Sequence, residues 1–241
     1  DMVSRGLGDV YKRQGLGFHR YSTDKKWFLP HFEKMLYDQA MNSMAYIEAY
    51  HITKNKEYAV IAEEIFSYVL RDMRHENGGF FSAEDADSEG EEGTFYLWTE
   101  QELFKILGEK DGSIISKIYG FSKNGNFLDE ASGKRNGGNI LYLSKSKSII
   151  AKEIKVSLDE LNKIIESSRK KLFEKRKERI HPLKDDKILT DWNGLMIASL
   201  AKGGMVLNNE QYIKEAINAA DFIHEHLQRN DGRLVKRYSC L

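Results

Sequence analysis

The sequence predicts a mainly α protein in which helical hairpins form part of a two-layer ring. An internal repeat supports this: a series of helix, Asn turn, helix and Asn-Gly turn begins at Tyr37-Asp38 and again at Thr190-Asp191, 153 or 154 residues later. The two helices of a copy also differ. Helix 191–207 is apolar nearly all round and needs cover on every side, whereas helix 210–228 carries polar residues opposite its apolar face. A buried inner helix paired with a half-exposed outer one is typical of such a ring, and a simple bundle or solenoid is the alternative.

Helix start signals place most of the remaining elements. Pro30 suits the first turn of a helix over 31–53, and capping boxes begin further helices at Thr99 and Ser157. Thr190 is a plausible N-cap. The predicted helices cover residues 31–53, 57–73, 100–107, 111–119, 158–179, 191–207 and 210–228. The aromatic runs 79–81 and 94–98, with an acidic loop between them, predict a small β-hairpin insertion.

The composition of the chain excludes several classes of function. The 241 residues contain 37 basic and 37 acidic side chains, so no net charge draws the protein to nucleic acid or anionic lipid. No apolar run approaches the ~20 residues of a membrane span. The single cysteine, Cys240, excludes an internal disulfide framework and any CxxC metal or redox site, which is compatible with a cytoplasmic setting.

The ends of the chain differ in character from the rest. Residues 2–14 show no helical or strand period, and their DVYKRQ ending resembles a translated sequencing adapter. We therefore exclude segment 1–14 from the fold argument. We expect residues 15–241 to form an incomplete toroid domain that is truncated at both ends.

The predicted helix 31–53 places reactive polar groups on one face. At 100° per residue, His31, Lys34, Asp38 and Asn42 fall within an arc of roughly 80°. The helix N-terminus disfavours the imidazolium of His31, so a neutral histidine that accepts a proton is expected there. Such a face suits the wall of a polar cavity, and a solvated face is the alternative.

The acidic loop supplies carboxylates as a second candidate group. Six of the nine residues from Glu84 to Glu92 are acidic, and their crowding would separate their pKa values into acids and bases. An EF-hand is excluded because its twelfth position is Tyr96. Glu84 and Asp85 are the best candidates, and a solvated acidic loop is the alternative. We expect no metal and no cofactor.

Asp191 is the candidate carboxylate in the second copy of the repeat. It lies at the start of the apolar inner helix, where it either faces the cavity or acts only as a partner of the helix dipole. The basic segment 169–179 is interrupted by a single aromatic residue, so a solvated helix face is favoured over nucleic-acid binding.

Four segments together identify a family. Gly17–Ser22, Pro30–Gln39, Phe80–Gly93 and Leu189–Leu195 resemble the YyaL-like, spermatogenesis-associated, thioredoxin-domain-containing proteins. The resemblance covers residues 15–235. It implies an N-terminal thioredoxin-like domain in the full-length protein, followed by an (α/α)6 toroid similar to N-acylglucosamine 2-epimerases and six-hairpin glycosidases. This chain would be the first part of that toroid.

Two functions remain open at this point. The first is a carbohydrate-active enzyme, either an epimerase or isomerase that uses histidine acid/base chemistry or a glycosidase that uses paired carboxylates. Its predicted catalytic residues are His31, Asp38, Glu84, Asp85 and Asp191. Its predicted sugar-binding residues are Arg20, Trp27, Lys34, Tyr37, Trp192 and Asn193. The alternative is a non-catalytic binding or scaffold module that serves the thioredoxin-like domain.

Overall fold

The computed structural model describes residues 15–25, 27–128, 133–143 and 145–239. Its α-helices are α1 (Leu36–Thr53), α2 (Lys56–Tyr68), α3 (Glu100–Ile118), α4 (Lys147–Ile154), α5 (Leu158–Arg176), α6 (Thr190–Leu207) and α7 (Glu210–Leu227). Its strands are β1 (Lys34–Met35), β2 (Ala83–Glu84), β3 (Asp87–Ser88), β4 (Glu91–Glu92), β5 (Lys184–Asp185), β6 (Lys187–Leu189) and β7 (Arg237–Ser239). The expected adapter segment and Cys240 lie outside the described residues.

The chain divides into two compact units. The repeat unit comprises the described residues of 16–20, 32–86 and 183–239, and it contains the helices α1, α2, α6 and α7. The α3–α5 unit comprises residue 15 and the described residues of 21–31 and 87–182. Each unit is built around its own apolar core.

The repeat unit consists of two helical hairpins that match at an offset of 154 residues. Helices α1 and α6 each have 18 residues, and each is followed by a tight turn into α2 or α7. Asn55 and Asn209 cap the second helix of their hairpins, each by accepting a hydrogen bond from the backbone two residues on. The unit therefore has the paired helices of a partial (α/α) toroid, and the predicted mainly α fold class is confirmed.

The two inner helices, α1 and α6, lie side by side and run in the same direction. The ring of Tyr37 contacts the ring of Trp192 at a centroid distance of 4.8 Å. Nearly two turns further on, Ser43 Oγ and Ser199 Oγ are hydrogen-bonded at 2.7 Å. Lys202 then pairs with Glu48 at 3.0 Å. Because these contacts advance together along both helices, the N-termini of α1 and α6 lie at the same end of the unit.

Short antiparallel strands join the hairpins within the repeat unit. Strand β2 pairs with β1 on one side and β5 on the other, and β6 pairs with β7. The register Lys34–Glu84 in the first pair recurs as Ile188–Tyr238 in the second, again at an offset of 154. These strands fix where each inner helix begins.

The α3–α5 unit packs α3 against α5, with α4 also against α5. Thr99 and Glu102 form the predicted capping box at the start of α3. Gly108 bends this helix at a φ of 76°, so the two predicted helices 100–107 and 111–119 form one bent element. The side chains buried between the helices are Leu103, Leu107, Ile115, Ile118, Leu161, Ile165 and Leu172.

Two sequence expectations are wrong in detail. Residues 31–33 are not helical and α1 begins only at Leu36, because residues 34–35 form a strand instead of a first helical turn. The β-hairpin is also displaced: it is β3–β4, which lies inside the acidic loop and turns at Glu89-Gly90, both at positive φ. Residues 93–96 form a turn rather than a strand.

Candidate functional site

The predicted polar helix face does not form, because its first members precede the helix. Residues 31–33 are not helical, and β1 follows them. Arg20 N donates to Glu33 O at 2.9 Å, and Lys34 pairs with Glu84 across β1 and β2. His31 and Lys34 therefore do not share a helix face with Asp38, and His31 is not at a helix N-terminus. His31 lies in the α3–α5 unit, where its ring stacks on Tyr21 at 4.8 Å.

A different group of polar side chains gathers at the start of α1. Arg20 Nη1 donates to Glu33 Oε2 at 2.9 Å, and Arg20 Nε donates to the hydroxyl of Tyr37 at 3.1 Å. The rings of Tyr37 and Trp192 in turn pack against each other in a T-shaped arrangement. We call Arg20, Glu33, Tyr37, Asp38 and Trp192 the Arg20 cluster. It unites four of the predicted site residues with Glu33, which the sequence analysis missed.

Asp38 carries a carboxyl whose pKa is raised. Burial raises its pKa from 3.8 to about 6; the charge of Arg20 opposes the increase, and the charge of Glu33 adds to it. Its Oδ2 atom is buried and has no hydrogen-bond partner among the described residues. A carboxyl that titrates near neutral pH can both give and accept a proton under physiological conditions.

Lys34 is placed where it stabilises the fold. Its side chain is 1% exposed, Nζ donates to Leu16 O at 2.7 Å, and the ammonium lies 4.5 Å from the centre of the Tyr68 ring. A buried ammonium held by a carbonyl and an aromatic face is not presented to a ligand. Its strand neighbour Glu84 is also buried.

Asn193 likewise bonds to the backbone. Its Oδ1 accepts from Phe80 N at 2.8 Å, and its Nδ2 donates to Phe80 O at 3.0 Å and Leu189 O at 2.9 Å. Gln39, 154 residues earlier, does the same to Phe18, with distances of 2.8 Å and 2.7 Å. We call each of these two-bond contacts an amide pair. The sequence analysis predicted a sugar contact for Asn193 and missed Gln39, although the repeat offset aligns the two residues.

The remaining candidates lie at the surface. Asp191 is exposed at the start of α6, where its Oδ1 accepts from Trp192 N at 3.1 Å. Asp85 is exposed after β2, and its Oδ1 accepts from Ala86 N at 2.7 Å. Trp27 is 47% exposed in the α3–α5 unit. Because α1 and α6 are parallel, Asp191 shares one end of the repeat unit with the Arg20 cluster.

Across the part of the chain that the structure describes, no three or more His, Cys, Asp or Glu side chains are grouped so that they could hold a metal ion. No helix in those ranges is long and apolar enough to cross a membrane.

Comparisons with known proteins give relatives that match 95% of the chain. No protein-family model matches it. It is 37% identical to spermatogenesis-associated protein 20 of Homo sapiens and of Rattus norvegicus, over 95% of this chain and 31% of each relative. The chain therefore spans about a third of the length of these relatives.

Among solved structures, the chain is similar to a cellobiose 2-epimerase from Spirochaeta thermophila, with 16% identity, a TM-score of 0.31 and coverage of 98% of this chain and 70% of that one. It is also similar to a D-mannose isomerase, with 15% identity, a TM-score of 0.30 and coverage of 96% and 54%. The sequence relatives have a much higher identity to this chain, 37%, than these structures, at 16% and 15%. Over the part of those relatives that it matches, the chain is a homologue of spermatogenesis-associated protein 20.

Proposed function

We propose that the Arg20 cluster binds a polyhydroxylated, sugar-like ligand and that Asp38 acts on it as a general acid and base. The observation that carries this proposal is the half-buried Asp38 carboxyl, whose pKa of about 6 lies close to neutral pH. An efficient proton-transfer group needs a pKa near the operating pH, because it must be present in both protonation states. Within the repeat unit, Asp38 meets that requirement.

The groups around Asp38 suit a sugar. The Arg20 guanidinium and the Tyr37 hydroxyl offer donors and an acceptor for ligand hydroxyls, and the half-buried Trp192 ring offers an apolar face. Glu33 pairs with Arg20 and holds the guanidinium in place. Asp191 lies at the same end of the unit and is a second carboxylate candidate.

Two reactions are compatible with these residues. In an epimerase or isomerase, Asp38 would take a proton from a C–H group of the sugar, and the same or a second residue would return one to carbon. In a glycosidase, protonated Asp38 would donate to the leaving oxygen, and a second carboxylate about 5–9 Å away would assist. Within the repeat unit, Glu84, Asp85 and Asp191 stay candidates for the second group.

A sugar panel distinguishes these reactions. We would screen the protein by thermal shift and follow each stabilising sugar by NMR in D2O. An epimerase or isomerase incorporates deuterium at carbon, whereas a hydrolase produces new reducing ends without it. Asp38→Asn should lower turnover by about 100-fold or more while sugar stabilisation persists. The matched control is Asp221→Asn, an exposed carboxylate on α7, which should leave both readouts unchanged.

The scaffold module remains the second candidate function. It is favoured by Lys34 and Asn193, whose polar groups contact the protein's own backbone instead of facing a ligand. Its partner would be a thioredoxin-like domain of the full-length chain. No stabilisation by any sugar, together with capture of a protein partner that depends on that domain, would favour this function over the enzyme.

A further inference from the structure

The two hairpins of the repeat unit match in their backbone hydrogen bonds as well as in their helices. After α2, Arg74 bridges to Phe80, and Phe81 N donates to Met73 O at 2.8 Å. After α7, Gln228 bridges to Leu234, and Val235 N donates to Leu227 O at 2.8 Å. Every residue in the second set is 154 positions after its counterpart, so Leu234 is the equivalent of Phe80.

Phe80, the equivalent of Leu234, is bound by the inner helix of the following hairpin, α6. Asn193 is the fourth residue of α6, and it forms the amide pair with Phe80 at the end of the preceding hairpin. Gln39 is the fourth residue of α1, and it forms the amide pair with Phe18, which also precedes its helix. The rule is the same in both cases: the fourth residue of an inner helix binds the N–H and C=O of one residue in the segment before it.

Leu234 has the same backbone setting with a different exposure. Phe18 and Phe80 are 2% and 0% exposed, whereas Leu234 is 51% exposed. Within the described ranges, its N–H and C=O have no hydrogen-bond partner. The inner helices show the same contrast in exposure. Gly194 on α6 is exposed, whereas its equivalent on α1, Ala40, is buried. Ala40 lies one turn before the Ser43–Ser199 contact between the two helices.

We infer that Leu234 is the backbone partner of a third amide pair, formed by an asparagine or glutamine at the fourth position of another inner helix. The occupant is a further helical hairpin of the longer protein to which this chain corresponds. The relatives leave ample length for it, because the chain covers 31% of spermatogenesis-associated protein 20. The new hairpin would pack its inner helix on the exposed side of α6 around Gly194, as α6 packs on α1. The inference is independent of the proposed function.

Site-resolved amide hydrogen exchange tests this in the longer protein. We expect the Leu234 amide to be protected within about tenfold of the Phe80 amide, because both would exchange only when the next inner helix moves away. In the 241-residue chain, the Leu234 amide should exchange like an exposed amide while Phe80 stays protected. Replacement of the new fourth-position Asn or Gln by Ala should deprotect Leu234 and leave Phe80 unchanged.

Asn193→Ala is the matched control, because it should deprotect Phe80 without affecting Leu234. If that variant does not fold, Asn193→Asp keeps the acceptor for Phe80 N–H and removes the donor to Phe80 O. An unprotected Leu234 amide in the longer protein would overturn the inference. So would Leu234 protection in the 241-residue chain that rises with protein concentration, since the occupant would then be a second copy.

Discussion

The raised pKa of Asp38 predicts that Asp38→Asn changes stability in a pH-dependent way. The carboxyl titrates near 6 in the folded protein and near 3.8 when unfolded, so the folded state favours its protonated form. Its contribution to stability is therefore fully present below pH 3.8 and is lost as the pH rises through 6. Asparagine resembles the protonated acid, so the variant should gain stability relative to wild type as the pH increases.

The magnitude follows from the size of the shift. One pKa unit corresponds to about 1.4 kcal/mol, so a shift from 3.8 to about 6 sets an upper limit of about 3 kcal/mol. Asp38 is only half-buried and solvent screens part of the effect, so we expect about 1–2 kcal/mol between pH 4 and pH 8.

Urea unfolding of wild type and variant from pH 4 to pH 8 measures this difference. The control is Asn42→Ala on the same helix, where the Asn42 side chain donates to Asp38 O at 2.8 Å and has no titrating group of its own. Its effect on the free energy of unfolding should not vary with pH. If the difference between Asp38→Asn and wild type were constant over the range, burial would not control this carboxyl and Asp38 would lose its proposed role.

Further predictions concern packing, capping and association. Gly203→Ala should lower the free energy of unfolding by about 1–2 kcal/mol, because its Cβ would lie 2.5 Å from the Phe66 ring. Gly194→Ala on the same helix meets nothing within 4 Å and should raise the free energy of unfolding by up to about 1 kcal/mol. Urea denaturation measures both changes. Thr99→Ala should cost about 1 kcal/mol in thermal or urea unfolding through loss of the N-cap, and Thr99→Ser should restore it. The 241-residue chain should self-associate in analytical ultracentrifugation through exposed apolar side chains such as Met205 on α6, and Met205→Asp should weaken that association; a chain that stays monomeric at all concentrations would contradict the expectation.

Local signals were sufficient for much of the fold. The predicted helix 191–207 is observed as Thr190–Leu207, and 210–228 as Glu210–Leu227, because the apolar pattern and the turn residues agree there. The capping box at Thr99 also forms as predicted. The repeat offset read from asparagine turns is the offset of the backbone itself.

Long-range pairing explains what local signals missed. Pro30 favours a helix start, but Lys34 and Met35 pair with β2, about 50 residues later in the chain, and β2 also pairs with β5, about 100 residues further on. The displaced helix start separates His31 and Lys34 from Asp38 and removes the predicted polar face. Helix α4, with eight residues, was missed because its apolar period is too short to recognise. Glu33 joins the cluster through its long-range ion pair with Arg20, 13 residues earlier in the chain.

The amide pairs have a consequence for how the hairpins tolerate change. Gln39 and Asn193 form their hydrogen bonds to Phe18 and Phe80 with main-chain atoms, so these bonds do not depend on which side chain the bound residue carries. Successive hairpins can then differ in amino-acid sequence while the number of residues between equivalent positions stays constant. This accounts for an internal repeat whose two copies share few residue identities but keep a constant spacing.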